Sequence, residues 1–180
     1  MAHDVRLNAL IETLDLPLAA GADREIGGVR HDSRRVEPGD LFVAVPGELF
    51  DGRDFAADAA RRGAAAVVGR GGAPQGFPVP WIEADDPRAL LGPLAAEVYG
   101  HPDRELTLAG VTGTNGKTTA VHLLAAMLSA AGRPSGLLGT LGHRFGDSFE
   151  PGERTTPEAP DLFRLLRQWR DAGAAAAAME

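Results

Sequence analysis

The segment from Leu106 to Thr119, LTLAGVTGTNGKTT, constrains this chain more than any other. It reads as an apolar strand, a glycine-containing turn and a helix start, and that order is what turns a short pattern into a mechanical statement. Gly113 and Gly116 are free to take positive φ, so the backbone amides around Thr114 and Asn115 can converge on phosphate oxygens. The helix that follows adds its unpaired first-turn amides and its positive dipole end. Lys117 is placed to reach the β- and γ-phosphates and is the catalytic candidate, the Thr118 hydroxyl can ligate Mg²⁺, and Thr119 closes the set expected to hold ATP. The strict spacing asks for a glycine where Val111 stands, and the nearest, Gly110, comes one residue early, so this is a variant P-loop. Such a loop holds phosphate without specifying the acceptor, which leaves kinases, GTPases, motor ATPases and ATP-dependent ligases in play.

The rest of the chain reads as strands and helices in alternation. Leu7, Leu10, Ile11 and Leu14 share one stripe of a first helix that ends before Pro17. Strands are expected at Val29 to Asp32, Leu41 to Val45, Ala64 to Val68 and Trp81 to Ala84, because these are short apolar runs bounded by Gly and Pro. Asp54 is read as the cap of a helix from Phe55 to Arg62. A helix from Pro87 to Gly100 should be kinked at Pro93, which removes a hydrogen bond and clashes with the preceding turn. The stretch Gly100-His101-Pro102-Asp103 breaks the pattern and is taken as the boundary between domains 1–100 and 101–180. Beyond it are expected a strand at Leu106 to Val111, a helix at Lys117 to Ala131, a strand at Leu137-Leu138 and a polar turn-rich stretch through Gly152. A helix from Pro157 to about Asp171, with Thr155 and Glu158 as a capping box, and a strand at Ala174 to Met179 complete the series. The fold class is therefore α/β: a small amino-terminal α/β substrate-binding domain, then the truncated start of a P-loop α/β ATPase domain with a mainly parallel sheet.

Bulk properties exclude several partners. A formal net charge of -7 argues against nucleic acid and against anionic membranes, since both call for a basic face. No cysteine occurs, so neither a disulfide framework nor a thiolate metal site is available. The five histidines show no paired metal-ligand spacing and are read as structural or solvent-facing. The first residues carry acids where a signal peptide needs a basic start, and no run approaches the roughly eighteen apolar residues that span a bilayer. A cytoplasmic monomer without membrane insertion is expected.

GTNGKTT after GVT resembles the ATP site of the Mur ligase family, whose variant P-loop carries an asparagine at this place and the same offset glycine. Further segments agree in order: HDSRRVEPGDLFVAVPGELFDGRDF, ARRGAAAVV, YGHP, GLLGTLGHRFG and RTTPEAPDL. The DSR and DGRDF patterns are shared with the branch that adds the terminal dipeptide, whereas GTLGHRFG and TTPEAPDL are similar to the branch that adds the third stem-peptide residue. The resemblance implies an ATP- and Mg²⁺-dependent amide ligase whose partners are UDP-N-acetylmuramoyl-L-alanyl-D-glutamate and an amino acid, meso-diaminopimelate or lysine. It implies that Ser33, Glu48, Leu49 and Phe50 lie against the uridine and sugar diphosphate. Arg154, Thr155 and Thr156 would meet the muramoyl peptide, and Glu180 would ligate Mg²⁺ with Thr118. Family members continue with the rest of the ATPase domain and a carboxyl-terminal amino-acid-binding domain, so residues 1–180 alone are expected to lack ligase turnover. A noncatalytic UDP-sugar-binding module and a P-loop kinase acting on a small carboxylate or hydroxyl are the alternatives, and both leave the amino-terminal match unexplained.

Overall fold

The computed structural model describes residues 5–17, 23–47, 50–152 and 155–180. Its contacts divide the chain into two compact units, Met1–Gly100 and His101–Glu180.

In the first unit, β1 (Val5–Arg6) runs into α1 (Leu7–Thr13), and β2 (Glu25–Ile26) returns to pair antiparallel with β1. There follow β3 (Gly28–Arg30), β4 (Asp40–Val43), α2 (Ala56–Arg61), β5 (Ala66–Gly69), β6 (Trp81–Glu83) and α3 (Leu91–Val98). Strands β3, β4, β5 and β6 form one sheet in that order, parallel throughout. A parallel sheet covered on both faces needs strands that are apolar at every position. Leu41, Phe42, Val43, Val67 and Val68 are all buried accordingly. On one face Phe42 and Val67 pack with Val36, Ala56, Ala59 and Trp81, while α3 buries Leu91, Leu94, Ala95 and Val98. The Tyr99 hydroxyl accepts a hydrogen bond from the Val29 amide at 3.3 Å, closing α3 onto β3.

Asp51, not Asp54, is the cap: its carboxylate accepts from the Arg53 amide and starts a 3₁₀ turn, Gly52–Phe55, that leads into α2. An aspartate needs to precede the first turn to reach an amide two residues on, and Asp54 already lies inside it. Pro93 produces no kink, because α3 begins only at Leu91 and places Pro93 in its first turn, where a missing N–H takes nothing from the helix. Residues 87–90 form a turn instead, with Asp86 accepting from the Ala89 amide at 3.2 Å.

The second unit runs α4 (Pro102–Glu105), β7 (Thr107–Gly110), α5 (Lys117–Ala130), β8 (Ser135–Gly139), β9 (Gly142–Phe145), β10 (Ser148–Glu150), α6 (Ala159–Asp171) and β11 (Ala176–Met179). The sheet order is β10-β9-β8-β11-β7, with β11 inserted parallel between β8 and β7. Strands β9 and β10 form an antiparallel hairpin where the sequence suggested only turns. Its two-residue connection, Gly146-Asp147, puts Gly146 at φ +56°, a conformation that glycine adopts without penalty.

The alternation of side chains along the central strands separates two layers. Leu138 and Ala177 face α6, where they meet Leu165, Leu166 and Trp169. Leu137 and Ala178 face α5, against Val121 and Ala125. The alanines of β11 suit a strand squeezed between helices on both faces. Gly136 is required for the same reason, since a Cβ there would overlap the buried Trp169 ring. The expected capping box is absent: Glu158 occupies the α6 cap position without a side-chain cap bond, and Thr155 is engaged elsewhere. Strand β7 is one edge of the sheet and β10 the other, and Leu123 and Met127 stand exposed on α5. Among the described residues no helix is long and apolar enough to cross a membrane.

Candidate functional site

Parallel strands deliver the residues after them to one edge of a sheet, which is where open α/β folds hold ligands. In the second unit three such ends meet. The glycine loop leaves β7 and enters α5 at Gly116, whose φ of +77° turns the chain so that the helix opens without a side-chain cap. Its first-turn amides therefore face outward, a ready site for an anion. The Lys117 ammonium folds back over the loop and donates to the Gly113 carbonyl at 2.6 Å. Phosphate oxygens entering the loop would compete for that ammonium with a formal negative charge, which a neutral carbonyl lacks.

Strand β11 supplies the carboxylate. Met179 pairs with Gly110 on one side and Leu138 on the other, so Glu180 emerges just beyond both neighbours. Thr118 Oγ1 donates to Glu180 Oε2 at 3.1 Å, bringing together the two side chains expected to ligate Mg²⁺. The Thr140 amide donates to Oε1 at 3.0 Å, its hydroxyl donates to Oε2 at 3.2 Å, and Thr156 Oγ1 donates to the Glu180 carbonyl at 2.7 Å. Burial pushes the Glu180 carboxyl up, but the Thr140 amide, the Thr118 and Thr140 hydroxyls and the Lys117 charge outweigh it and hold the group below the usual glutamate range. It is therefore an anion at neutral pH. One carboxylate and one hydroxyl beside a phosphate loop suit Mg²⁺, which takes oxygen donors and fills its octahedron with phosphate oxygens and water. Among the described residues no cluster of three or more His, Asp or Glu offers an all-protein cage.

The carboxylate lies so close to Gly139 that a Cβ there would overlap Glu180 Oε1. Gly139→Ala is expected to displace the carboxylate and weaken Mg²⁺-dependent nucleotide binding about ten-fold, the equivalent of ~1.4 kcal/mol. Isothermal titration with and without Mg²⁺ checks this, and an unchanged affinity would show that the carboxylate relaxes without loss.

Thr155 and Thr156 thus come to the same edge as Lys117, Thr118 and Glu180. Thr140, which the sequence offers no reason to name as a site residue, touches two of them, Glu180 and Thr155. In the first unit Ser33 and Phe50 follow β3 and β4, again at the carboxyl ends of parallel strands. Ser33 is buried at 5% exposure, and its hydroxyl bonds to the Asp58 carboxylate. Phe50 is 68% exposed and meets Phe55 edge to face at 6.2 Å. The Gly47 amide donates to the Phe50 carbonyl at 2.9 Å. Glu48, Leu49 and Arg154 lie outside the described residues. Of the histidines, His143 is buried, its Nδ1 has no hydrogen-bond partner, and burial pushes its pKa down, which agrees with a neutral structural role.

A glycine loop opening a helix beside a parallel strand that ends in a carboxylate defines a P-loop α/β protein. Comparison with known proteins places it more narrowly. Residues 25–99 match the Mur ligase family catalytic domain, and residues 111–180 match the Mur ligase middle domain. The chain belongs to the Mur ligase family. It is 46% identical over 98% of its length to the UDP-N-acetylmuramoyl-L-alanyl-D-glutamate--2,6-diaminopimelate ligase of Streptomyces coelicolor, covering 36% of that protein. It is 42% identical to the UDP-N-acetylmuramyl-tripeptide synthetase of Deinococcus radiodurans, over 98% of this chain and 37% of that protein. The chain therefore spans about a third of the length of the curated relatives it matches. A solved UDP-N-acetylmuramoyl-L-alanyl-D-glutamate--2,6-diaminopimelate ligase superposes with a TM-score of 0.74 at 25% identity, covering 99% of this chain and 35% of that one. A dipeptide-adding ligase from Acinetobacter baumannii shares the fold, with a TM-score of 0.61 at 23% identity over 99% of this chain and 34% of its own.

Proposed function

We propose that this chain is the amino-terminal part of a cytoplasmic, ATP-dependent ligase that joins a third residue to UDP-N-acetylmuramoyl-L-alanyl-D-glutamate. Residues 1–100 are its UDP-N-acetylmuramoyl-binding domain and residues 101–180 the first part of its ATPase domain. Relatives named as 2,6-diaminopimelate ligases favour diaminopimelate over lysine as the residue added. The observation that carries the reading is the meeting of Thr118 and Glu180 at 3.1 Å beside the phosphate loop.

A carboxylate and an amine do not condense unaided in water. In the proposed reaction a substrate carboxylate oxygen attacks the γ-phosphorus of ATP and ADP leaves, giving an acyl phosphate. The amine of the incoming amino acid then attacks the acyl carbon, phosphate departs, and the amide remains after loss of a proton. Lys117 and the first-turn amides of α5 hold the phosphates in line, offsetting the charge that builds on the transferred group. Thr118 and Glu180 would hold a Mg²⁺ ion, which would supply positive charge to the phosphates. Thr155 and Thr156 orient the peptide, and Ser33 with residues 48–50 takes the uridine diphosphate end.

Calorimetric titration of residues 1–180 with UDP-N-acetylmuramoyl-L-alanyl-D-glutamate and, separately, with ATP and Mg²⁺ tests the reading. Saturable binding of both, without amide formation when diaminopimelate is added, is expected. Binding of ATP with a stable phosphorylated small molecule as product would favour a kinase, and binding of the UDP-sugar alone a noncatalytic module.

A further inference from the structure

Thr140 lies in the turn after β8, forty residues from Glu180 along the chain, yet it makes two hydrogen bonds to that carboxylate. Its third contact runs the other way, to Thr155 Oγ1 at 3.3 Å. Hydroxyl protons decide the direction of these bonds. An ionised carboxylate only accepts, so the Thr140 hydroxyl must spend its one proton on Glu180 Oε2. Towards Thr155 it can then only accept, and the Thr155 hydroxyl must donate to it. The result is a polarised chain, Thr155 to Thr140 to Glu180, meeting at Oε2 the hydroxyl of Thr118, which also donates to that oxygen. Thr156 holds the same glutamate by its main chain.

We infer that Thr140 is a positioning residue that fixes the Glu180 carboxylate for a divalent cation and couples the cation–phosphate site to the Thr155–Thr156 subsite. The inference rests on the proposed function for the identity of the two ligands. The coupling follows from the bond directions. With its proton committed to Thr140, Thr155 presents lone pairs outward, so a substrate N–H or O–H docking on it strengthens the chain rather than competing with it. A cation drawing electron density from Oε2 acts on the same chain from the other end. Each ligand then tightens the other by an equal factor, as linkage requires.

The test compares wild type, Thr140→Val and Thr140→Ser by calorimetric titration of ADP in EDTA, of ADP with Mg²⁺, and of ADP with Mg²⁺ at saturating UDP-N-acetylmuramoyl-L-alanyl-D-glutamate. Valine keeps the shape and the amide of this exposed residue and removes only the hydroxyl. In Thr140→Val the ADP affinity in EDTA should match wild type, the Mg²⁺-dependent gain should fall about ten-fold, and the further gain from the UDP-linked substrate should disappear. Thr140→Ser should restore both gains, which a purely structural role for the methyl-bearing side chain would not give. Wild-type behaviour of Thr140→Val in all three titrations overturns the inference while leaving the ligase reading intact. Absence of ADP binding by the wild type overturns both.

Discussion

Lys117→Ala should lower the affinity of the chain for ATP by about ten- to hundred-fold, the range for losing a charge-assisted hydrogen bond. In the free loop the ammonium sits on the Gly113 carbonyl at 2.6 Å, so it is already held over the loop that phosphate would enter. Binding exchanges a bond to a neutral oxygen for one to a charged oxygen, and the side chain is ordered beforehand. Lys117→Arg is expected to rescue little, because a planar fork cannot replace a compact point charge inside a tight loop. Isothermal titration reads both variants. An affinity for ATP within two-fold of wild type in Lys117→Ala would place the phosphates elsewhere, roughly below the smallest such effect expected.

The second large effect concerns stability. Trp169 is 3% exposed at the centre of the layer between α6 and the sheet, against Leu106, Leu138, Leu165, Leu166 and Ala177. Phe145 of the hairpin leans on it at 6.4 Å between ring centroids. Gly136 has no side chain because the indole occupies that space. Trp169→Ala removes the largest side chain of this layer and leaves a cavity that alanine-rich β11 has no means of filling. A loss of about 3–5 kcal/mol is expected, a large part of the 5–15 kcal/mol typical of whole domains. Urea denaturation followed by far-UV circular dichroism should show a transition at markedly lower denaturant, and a midpoint shift worth less than roughly 1 kcal/mol would contradict this packing account.

How much of this was legible in the sequence depended on whether the relevant physics was local. The apolar runs at Leu41 to Val45 and Leu106 to Val111 mark strands, although only the first is buried as β4 while β7 lies mostly exposed at a sheet edge, and the helix expected from Pro157 to about Asp171 is α6. The phosphate loop was equally legible, since its glycines, lysine and threonines are contiguous. The β9–β10 hairpin escaped notice, although Gly146-Asp147 between two short runs is a hairpin signal. Asp54 reads as a cap because it stands directly before Phe55, whereas the 3₁₀ turn that leads into α2 starts earlier and takes Asp51 instead. Pro93 looked disruptive only because the helix was expected to start four residues before Leu91.

Thr140 was illegible for a deeper reason. Its role comes from strand order: β11 is the last strand in the chain but lies between β8 and β7, so Glu180 arrives beside Thr140 and Thr118 only when the sheet is assembled. No spacing rule connects positions 118, 140, 155 and 180. Resemblance to a family supplied Glu180 and the threonine pair as expectations, and the sheet shows why they converge.

Charge makes the central claim measurable. Glu180 is an anion held beside the Thr118 hydroxyl, so without a cation it repels the γ-phosphate that the loop and Lys117 attract. The most direct measurement is ATP titration of wild-type residues 1–180 and of Glu180→Gln, each with Mg²⁺ and with EDTA. Wild type should bind one ATP with an affinity raised about ten-fold or more by Mg²⁺, while Glu180→Gln should bind better than wild type in EDTA and gain little from Mg²⁺. Equal Mg²⁺ dependence in the two proteins would contradict the account.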